Sequence, residues 1–85
     1  MSVEQTVRNY ILENFLFTTD ASVLGVDESF LAKGIIDSTG MLEVIYFLED
    51  KFGIRIDDAE MIPENLDSIS NIVRFVGRKT HKPTP

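Results

Sequence analysis

The stretch "GIIDSTGMLEVIYFLEDKFGI", Gly34 to Ile54, decides the fold, because a loop gives way there to a strongly periodic segment. At about 100° per residue, Met41, Val44, Ile45, Leu48 and Phe52 share one apolar arc, so a helix is predicted from Ser38 to about Phe52. Gly53 is placed to end it as a left-handed residue. Asp37 is a good N-cap, which makes Ser38 the first helical residue and Gly40 the third. Opposite the apolar arc lie Glu43 and Asp50, flanked by Thr39, Tyr46 and Phe47. That face mixes carboxylates with large apolar groups.

Upstream, Ser2 and Gln5 form a capping-box pattern, and Val3, Val7, Tyr10, Ile11 and Phe15 recur at helical spacing. A first helix is predicted over about residues 3–16. From Phe17 to Asp37 no period holds, yet Leu24, Val26, Phe30, Leu31, Ile35 and Ile36 are too apolar for a solvated linker. A connection of this length in a small domain is usually functional. It is expected to lie across the bundle, pinned by Phe30, Leu31 and Ile36, with a short helical turn near Glu28–Ala32.

Downstream, Asp57–Ile62 can form a short helix stopped by Pro63. Asp67 or Ser68 then caps a last helix whose core spacing is carried by Ile69, Ile72, Val73 and Val76. Residues 81–85 carry two prolines and read as a flexible tail, leaving 1–80 as one domain. The expected fold is all-α: three main helices, one short helix, and a long loop between the first two.

The 85-residue chain has no cysteine, so disulfides, thiolate metal sites and protein-thiol chemistry are excluded. The longest apolar run, Val44 to Leu48, is far short of a membrane span, and the N-terminus lacks signal-peptide order, so a cytoplasmic address is expected without membrane insertion. The net charge is -6, and its excess is local. Between Asp37 and Asp67 stand nine acids and two bases, a balance of -7, against +1 elsewhere. A nucleic-acid binder would show a basic face, so that class is disfavoured. A basic protein partner and a merely solvated acidic surface both fit.

Ser38 could be a helix-end residue, a nucleophile or a point of attachment. A nucleophilic serine needs a base within hydrogen-bond reach, and the lone histidine, His81, sits in the expected tail. Asp37 is too weak a base at neutral pH to replace it. Metal chemistry is not expected either, since Asp57, Asp58, Glu60 and Glu64 lack the spacing and central glycine of a calcium loop. Gly40 weakens the helix by about 1 kcal/mol relative to alanine, which suggests that something approaches the backbone there. An anionic group on Ser38 would, because a helix start favours negative charge.

The segment Gly34–Ser38 is followed by the amphipathic Glu43–Phe52 with "FLEDKFGI", preceded by "DESFLAKGIIDS", and closed by "PENLDSISNIVRFV". Together these resemble the acyl carrier protein and peptidyl carrier protein superfamily over nearly the whole chain. The resemblance implies a bacterial, monomeric, non-catalytic carrier. A 4′-phosphopantetheine arm would be joined by phosphodiester to Ser38, beside Asp37, and would hold acyl or aminoacyl intermediates as thioesters. It also implies partners: a holo-carrier synthase that attaches the arm, an acyl or aminoacyl loading ligase, and synthases or transferases with basic docking surfaces. Positions matching the family's docking face are Thr39, Glu43, Tyr46, Glu49 and Asp50, with Asp57, Asp58 and Glu60 in support.

The sequence departs from primary fatty-acid carriers, which usually have leucine and then an acid after the serine; here Thr39 and Gly40 follow, and Phe47 is bulky. A specialised, free-standing carrier is favoured. The rival reading is an unmodified acidic helical adaptor that binds a basic protein through the Glu43–Asp50 face.

Overall fold

The computed structural model describes residues 2–80 and is all-α among them. Helix α1, Val3–Ile11, starts where the Ser2 hydroxyl accepts the Gln5 N–H at 3.1 Å. It continues as a π-helical turn over Leu12–Leu16. A 3-10 turn follows at Ala21–Val23. Helix α2 spans Ser38–Phe52 and ends at Gly53, φ 64°, as its sequence requires. A second 3-10 turn, Asp58–Glu60, leads to the short α3, Pro63–Leu66, and then to α4, Ile69–Thr80. No helix among the described residues is long and apolar enough to cross a membrane. The expected tail, residues 81–85 with His81, lies outside the described residues.

The core draws on every segment. Val7, Ile11 and Leu12 of the first helix meet Ile69, Ile72, Phe75 and Val76 of α4, and Val44, Ile45 and Leu48 close the third side. Phe75 takes a core place that spacing alone had assigned to Val73, which is half-buried. Pro63 does more than stop the preceding turn. It occupies the first turn of α3, where its missing N–H costs nothing. Ser68, not Asp67, caps α4: its hydroxyl accepts the Asn71 N–H at 3.0 Å.

The long loop is pinned as expected, with one exception. Leu24, Phe30 and Ile36 are buried, but Leu31 is 43% exposed and points away from the core. The expected helical turn appears as a tight turn centred later, over residues 30–34, ending at Gly34 with φ 69°. Asp67 explains why. Its backbone carbonyl accepts the Phe30 N–H at 2.8 Å, its Oδ1 accepts the Leu31 N–H at 2.9 Å, and its Oδ2 accepts the Ser29 hydroxyl. Earlier in the loop, the Arg8 guanidinium donates to the carbonyls of Ala21 and Leu24, and the Ser70 N–H donates to Val26 at 2.8 Å.

The two neighbouring loop residues should therefore differ sharply in their contribution to stability. Phe30→Ala is expected to cost about 3–5 kcal/mol and Leu31→Ala less than about 1 kcal/mol, measured by urea unfolding. Equal losses would contradict this division of the loop.

Candidate functional site

Ser38 is held by what stands on either side of it. The Phe30 carbonyl accepts the N–H groups of Ile35 (2.9 Å) and Ile36 (3.4 Å), and Ile36 is buried. The chain then emerges at Asp37, which is extended, with φ -93° and ψ -176°. Its Oδ1 accepts the Gly40 N–H at 2.6 Å and its carbonyl accepts the Met41 N–H at 2.9 Å. Asp37 is thus the N-cap, and Ser38 stands exposed at the first helical position.

Gly40 is also closely surrounded within the fold. A Cβ there would come within 3.0 Å of Phe15 Cε1 and 3.2 Å of both Asp37 Oδ1 and Ile36 Cγ2. The missing side chain makes room for Phe15 from the first helix and for the capping carboxylate. A side chain here would need Phe15 and the capping carboxylate to give by a few tenths of an ångström, so the glycine eases packing between the π turn and the start of α2.

Beside Ser38 opens an apolar groove of about 270 Å³ between α2 and the 61–66 segment. Met41, Leu42, Ile45, Leu31, Met61, Ile62, Pro63 and Leu66 line it with Ser38. Sequence reasoning missed this feature. From the sequence Leu31 is expected in the core, and Met61 and Ile62 in a short helix that the structure shortens to the 3-10 turn Asp58–Glu60, while Leu42 carries no expectation. The available signal was that Leu42 stands one turn before Tyr46, on the edge between the polar and apolar arcs.

The expected docking residues separate into two groups. Thr39, Glu43, Tyr46 and Asp50 are exposed together along α2, with Tyr46 65% accessible. Asp57 and Asp58 are exposed on the following 3-10 turn. Glu49 is half-buried and accepts the Ile56 N–H at 3.0 Å, tying the end of α2 to the next segment. Glu60 accepts the Lys79 ammonium at 2.8 Å and the Asp57 N–H at 3.0 Å. Phe47 does not flank the polar face. It stacks on Tyr10 of α1, with centroids 3.9 Å apart and planes 13° from parallel, while the Tyr10 hydroxyl donates to the Glu43 carbonyl at 3.3 Å. Burial, and then the Glu43 charge, raise the Tyr10 phenol above its ordinary value. Among the described residues no cluster of three or more His, Asp or Glu is arranged to hold a metal ion.

With this geometry in view, the relatives are informative. The chain is 35% identical over 81 residues to the D-alanyl carrier protein of Streptococcus suis (strain 98HAH33), covering 95% of this chain and 99% of the relative. It is 33% identical, with the same coverage, to the D-alanyl carrier protein of Streptococcus pyogenes serotype M5 (strain Manfredo). No protein-family model matches the chain. Likeness to named carriers over 95% of the chain makes this a carrier protein. The chain belongs to the acyl and peptidyl carrier protein superfamily.

The Glu60–Lys79 pair should be visible in a pH series. Hydrogen bonding from Lys79, then from the Asp57 backbone, lowers the Glu60 carboxyl below its ordinary value. A lowered carboxyl contributes stability that is complete above the ordinary glutamate range and disappears as pH falls through the lowered value. Glu60→Gln should therefore melt slightly below the wild type at neutral pH, and the difference should vanish in acid. A gap that persists at low pH would show that something other than the charge is lost.

Proposed function

We propose that this protein carries an aminoacyl group, D-alanyl as in the names of its relatives, on a 4′-phosphopantetheine arm attached to Ser38, and presents it to partner enzymes. The observation that carries this reading is Ser38 itself: exposed at the first position of α2, capped by its neighbour rather than by its own hydroxyl, and opening onto an apolar groove.

The residues around Ser38 fit such an arm. The first turn of a helix has N–H groups without intrahelical acceptors, and its dipole favours an anion. Asp37 uses its Oδ1 on the Gly40 N–H, so Ser38 is not needed as a cap and its hydroxyl is free for substitution. The groove walls of Leu42, Met61 and Ile62 offer apolar surface to the stem of the arm. When bound, the arm supplies a terminal thiol for thioester chemistry. In attachment, the Ser38 Oγ attacks a phosphorus of coenzyme A, forming the Oγ–P bond and breaking the pyrophosphate bond. Adenosine 3′,5′-bisphosphate leaves, and the hydroxyl proton passes to the attaching enzyme.

Partner enzymes would read the exposed α2 face. Glu43 and Asp50 steer a basic surface towards Ser38, and Tyr46 supplies apolar contact area. Asp57 and Asp58 extend the acidic field, whereas Glu49 and Glu60 contribute to it while holding the fold together.

Intact-protein mass spectrometry with a holo-carrier synthase and coenzyme A tests the attachment directly. The wild type should gain the mass of one arm, and Ser38→Ala should gain nothing while melting within a few degrees of the wild type. An unmodified wild type would favour the adaptor reading. A collapse of Ser38→Ala would overturn the assignment of the cap to Asp37.

Docking can be tested separately with attachment rates across a salt series. Glu43→Lys should slow attachment mainly at low salt, because the Debye length is about 10 Å at 0.1 M and shorter above it. Tyr46→Ala should slow it at every salt concentration without lowering the melting temperature. Wild-type rates for both variants would mean that partners read another surface.

A further inference from the structure

The end of the first helix is built in a way that folding alone does not favour. Phe17 follows the π-helical turn with φ 54° and ψ 43°, the one non-glycine residue with positive φ among those described. Glycine or asparagine fills such a position without a Cβ clash, whereas phenylalanine is strained there. Its ring is also 83% exposed, the highest value among the large apolar side chains described.

The backbone conformation has a local cause. The N–H groups of both Phe17 and Thr18 turn back to the Leu12 carbonyl, the latter at 3.1 Å. Phe15 is held by Gly40 and by an edge-on contact with Tyr10, with centroids 6.0 Å apart. The chain must reverse at Phe17, and the side chain is left outside. The backbone thus accounts for a left-handed residue at this place. It does not account for an aromatic one.

What surrounds the ring points to a ligand chemistry. Glu13, Thr18 and Thr19 share a shallow depression with Phe17, and Glu13 forms no ion pair among the described residues. An open aromatic face beside an unpaired carboxylate matches a guanidinium, which stacks on the ring while its N–H groups reach the carboxylate. The location matters as well. Phe15, two residues before Phe17, packs on Gly40, two residues after Ser38, so this patch lies at the Ser38 end of the bundle. It belongs to the α1 side, and the groove of Leu31, Leu42 and Met61 belongs to the α3 side.

We propose that Phe17 and Glu13 form a second contact for the enzyme that attaches the arm to Ser38, receiving an arginine side chain of that enzyme. This rests on the reading of Ser38 given above. An enzyme that binds the polyanion coenzyme A and meets a chain of net charge -6 carries cationic groups around its active site. A carrier that offers a stacking ring and a carboxylate on the α1 side, in addition to the α2 face, is held from two directions around the serine.

The test uses the full chain, a holo-carrier synthase and coenzyme A, with attachment followed by intact mass and Tm measured in parallel. Phe17→Gly should melt at the same temperature as the wild type or higher, yet its kcat/KM for attachment should fall about three- to tenfold, through KM. Phe17→Leu, which keeps apolar bulk but lacks the ring, should show a similar fall. Glu13→Gln should lose less, and only at low salt. Wild-type attachment by Phe17→Gly, or by Phe17→Leu, overturns the contact while leaving Ser38 as the attachment point. A Phe17→Gly variant that melts lower also overturns it, by making the ring a structural element. A wild type that takes up no arm overturns the reading of Ser38 itself, and this contact with it.

Discussion

The position of Ser38 depends on Asp67, a residue far away in sequence. The segment from Phe17 to Asp37 has no regular ladder, so its polar groups need partners supplied from elsewhere. Asp67 supplies three at one place: its carbonyl to Phe30, one carboxylate oxygen to Leu31 and the other to Ser29. With Phe30 fixed, its carbonyl can receive Ile35 and Ile36, and Ile36 enters the core immediately before the cap. Asp37 then has only one direction in which to start α2. Closing a loop of this length costs entropy that grows only slowly with length, so burial of Leu24, Phe30 and Ile36 together with these bonds is enough to hold it.

The same residues show that counting carboxylates overstates the surface offered to a partner. Of the nine acids between Asp37 and Asp67, four are committed within the fold. Asp37 caps α2, Glu49 ties down Ile56, Glu60 pairs with Lys79, and Asp67 holds the loop. Among the described residues, only the Glu60 charge of these four is offset by a cation in contact. The other three still contribute to the long-range field, although one oxygen of Asp37, one of Glu49 and both of Asp67 already accept N–H or O–H donors. Glu43, Asp50, Asp57, Asp58 and Glu64 remain exposed and able to form direct contacts. Field and contact are therefore carried by different members of one acidic segment, and salt and mutation will act on them differently.

The features legible in the sequence were those set by local chemistry and a single period. The extent of α2, the Asp37 cap, the Gly53 stop and the outward Tyr46 all follow from about one turn of context in either direction. The features that escaped depend on tertiary contact. The first helix widens into a π turn where Phe15 meets Gly40, a contact between segments distant in sequence. Phe47 leaves the polar face because Tyr10 offers a ring to stack on. Leu31 is turned outward by the bonds of its own N–H and of Phe30 to Asp67. Pro63 is ambiguous in principle, since the ring that ends one helix also suits the first turn of the next. At the candidate site the exposed place of Ser38 at the start of α2 could be read directly. The groove beside it could not, since its walls come from three separate segments.

The distribution of exposed apolar groups sets how a domain of this size can bind. Leu31, Leu42, Met61 and Ile62 stand out around the groove, Tyr46 follows one turn along α2, and Phe17 stands on the α1 side. These are side chains that a small core could have used, and each one left outside lowers the stability available from burial. The groove residues and Tyr46 lie along α2 while Phe17 lies on the α1 side, and a small apolar contact limits the lifetime of a complex more than its encounter rate. A carrier must be recognised by one enzyme and released to the next, so a tight continuous interface would defeat it. On the function proposed above, the acidic field around α2 would speed encounter and small apolar contacts would keep each complex short-lived. If Ser38 is the attachment point, the bonds of Asp67 to the loop and of Asp37 to Gly40 set its backbone before any partner arrives, which lowers the ordering cost of each encounter.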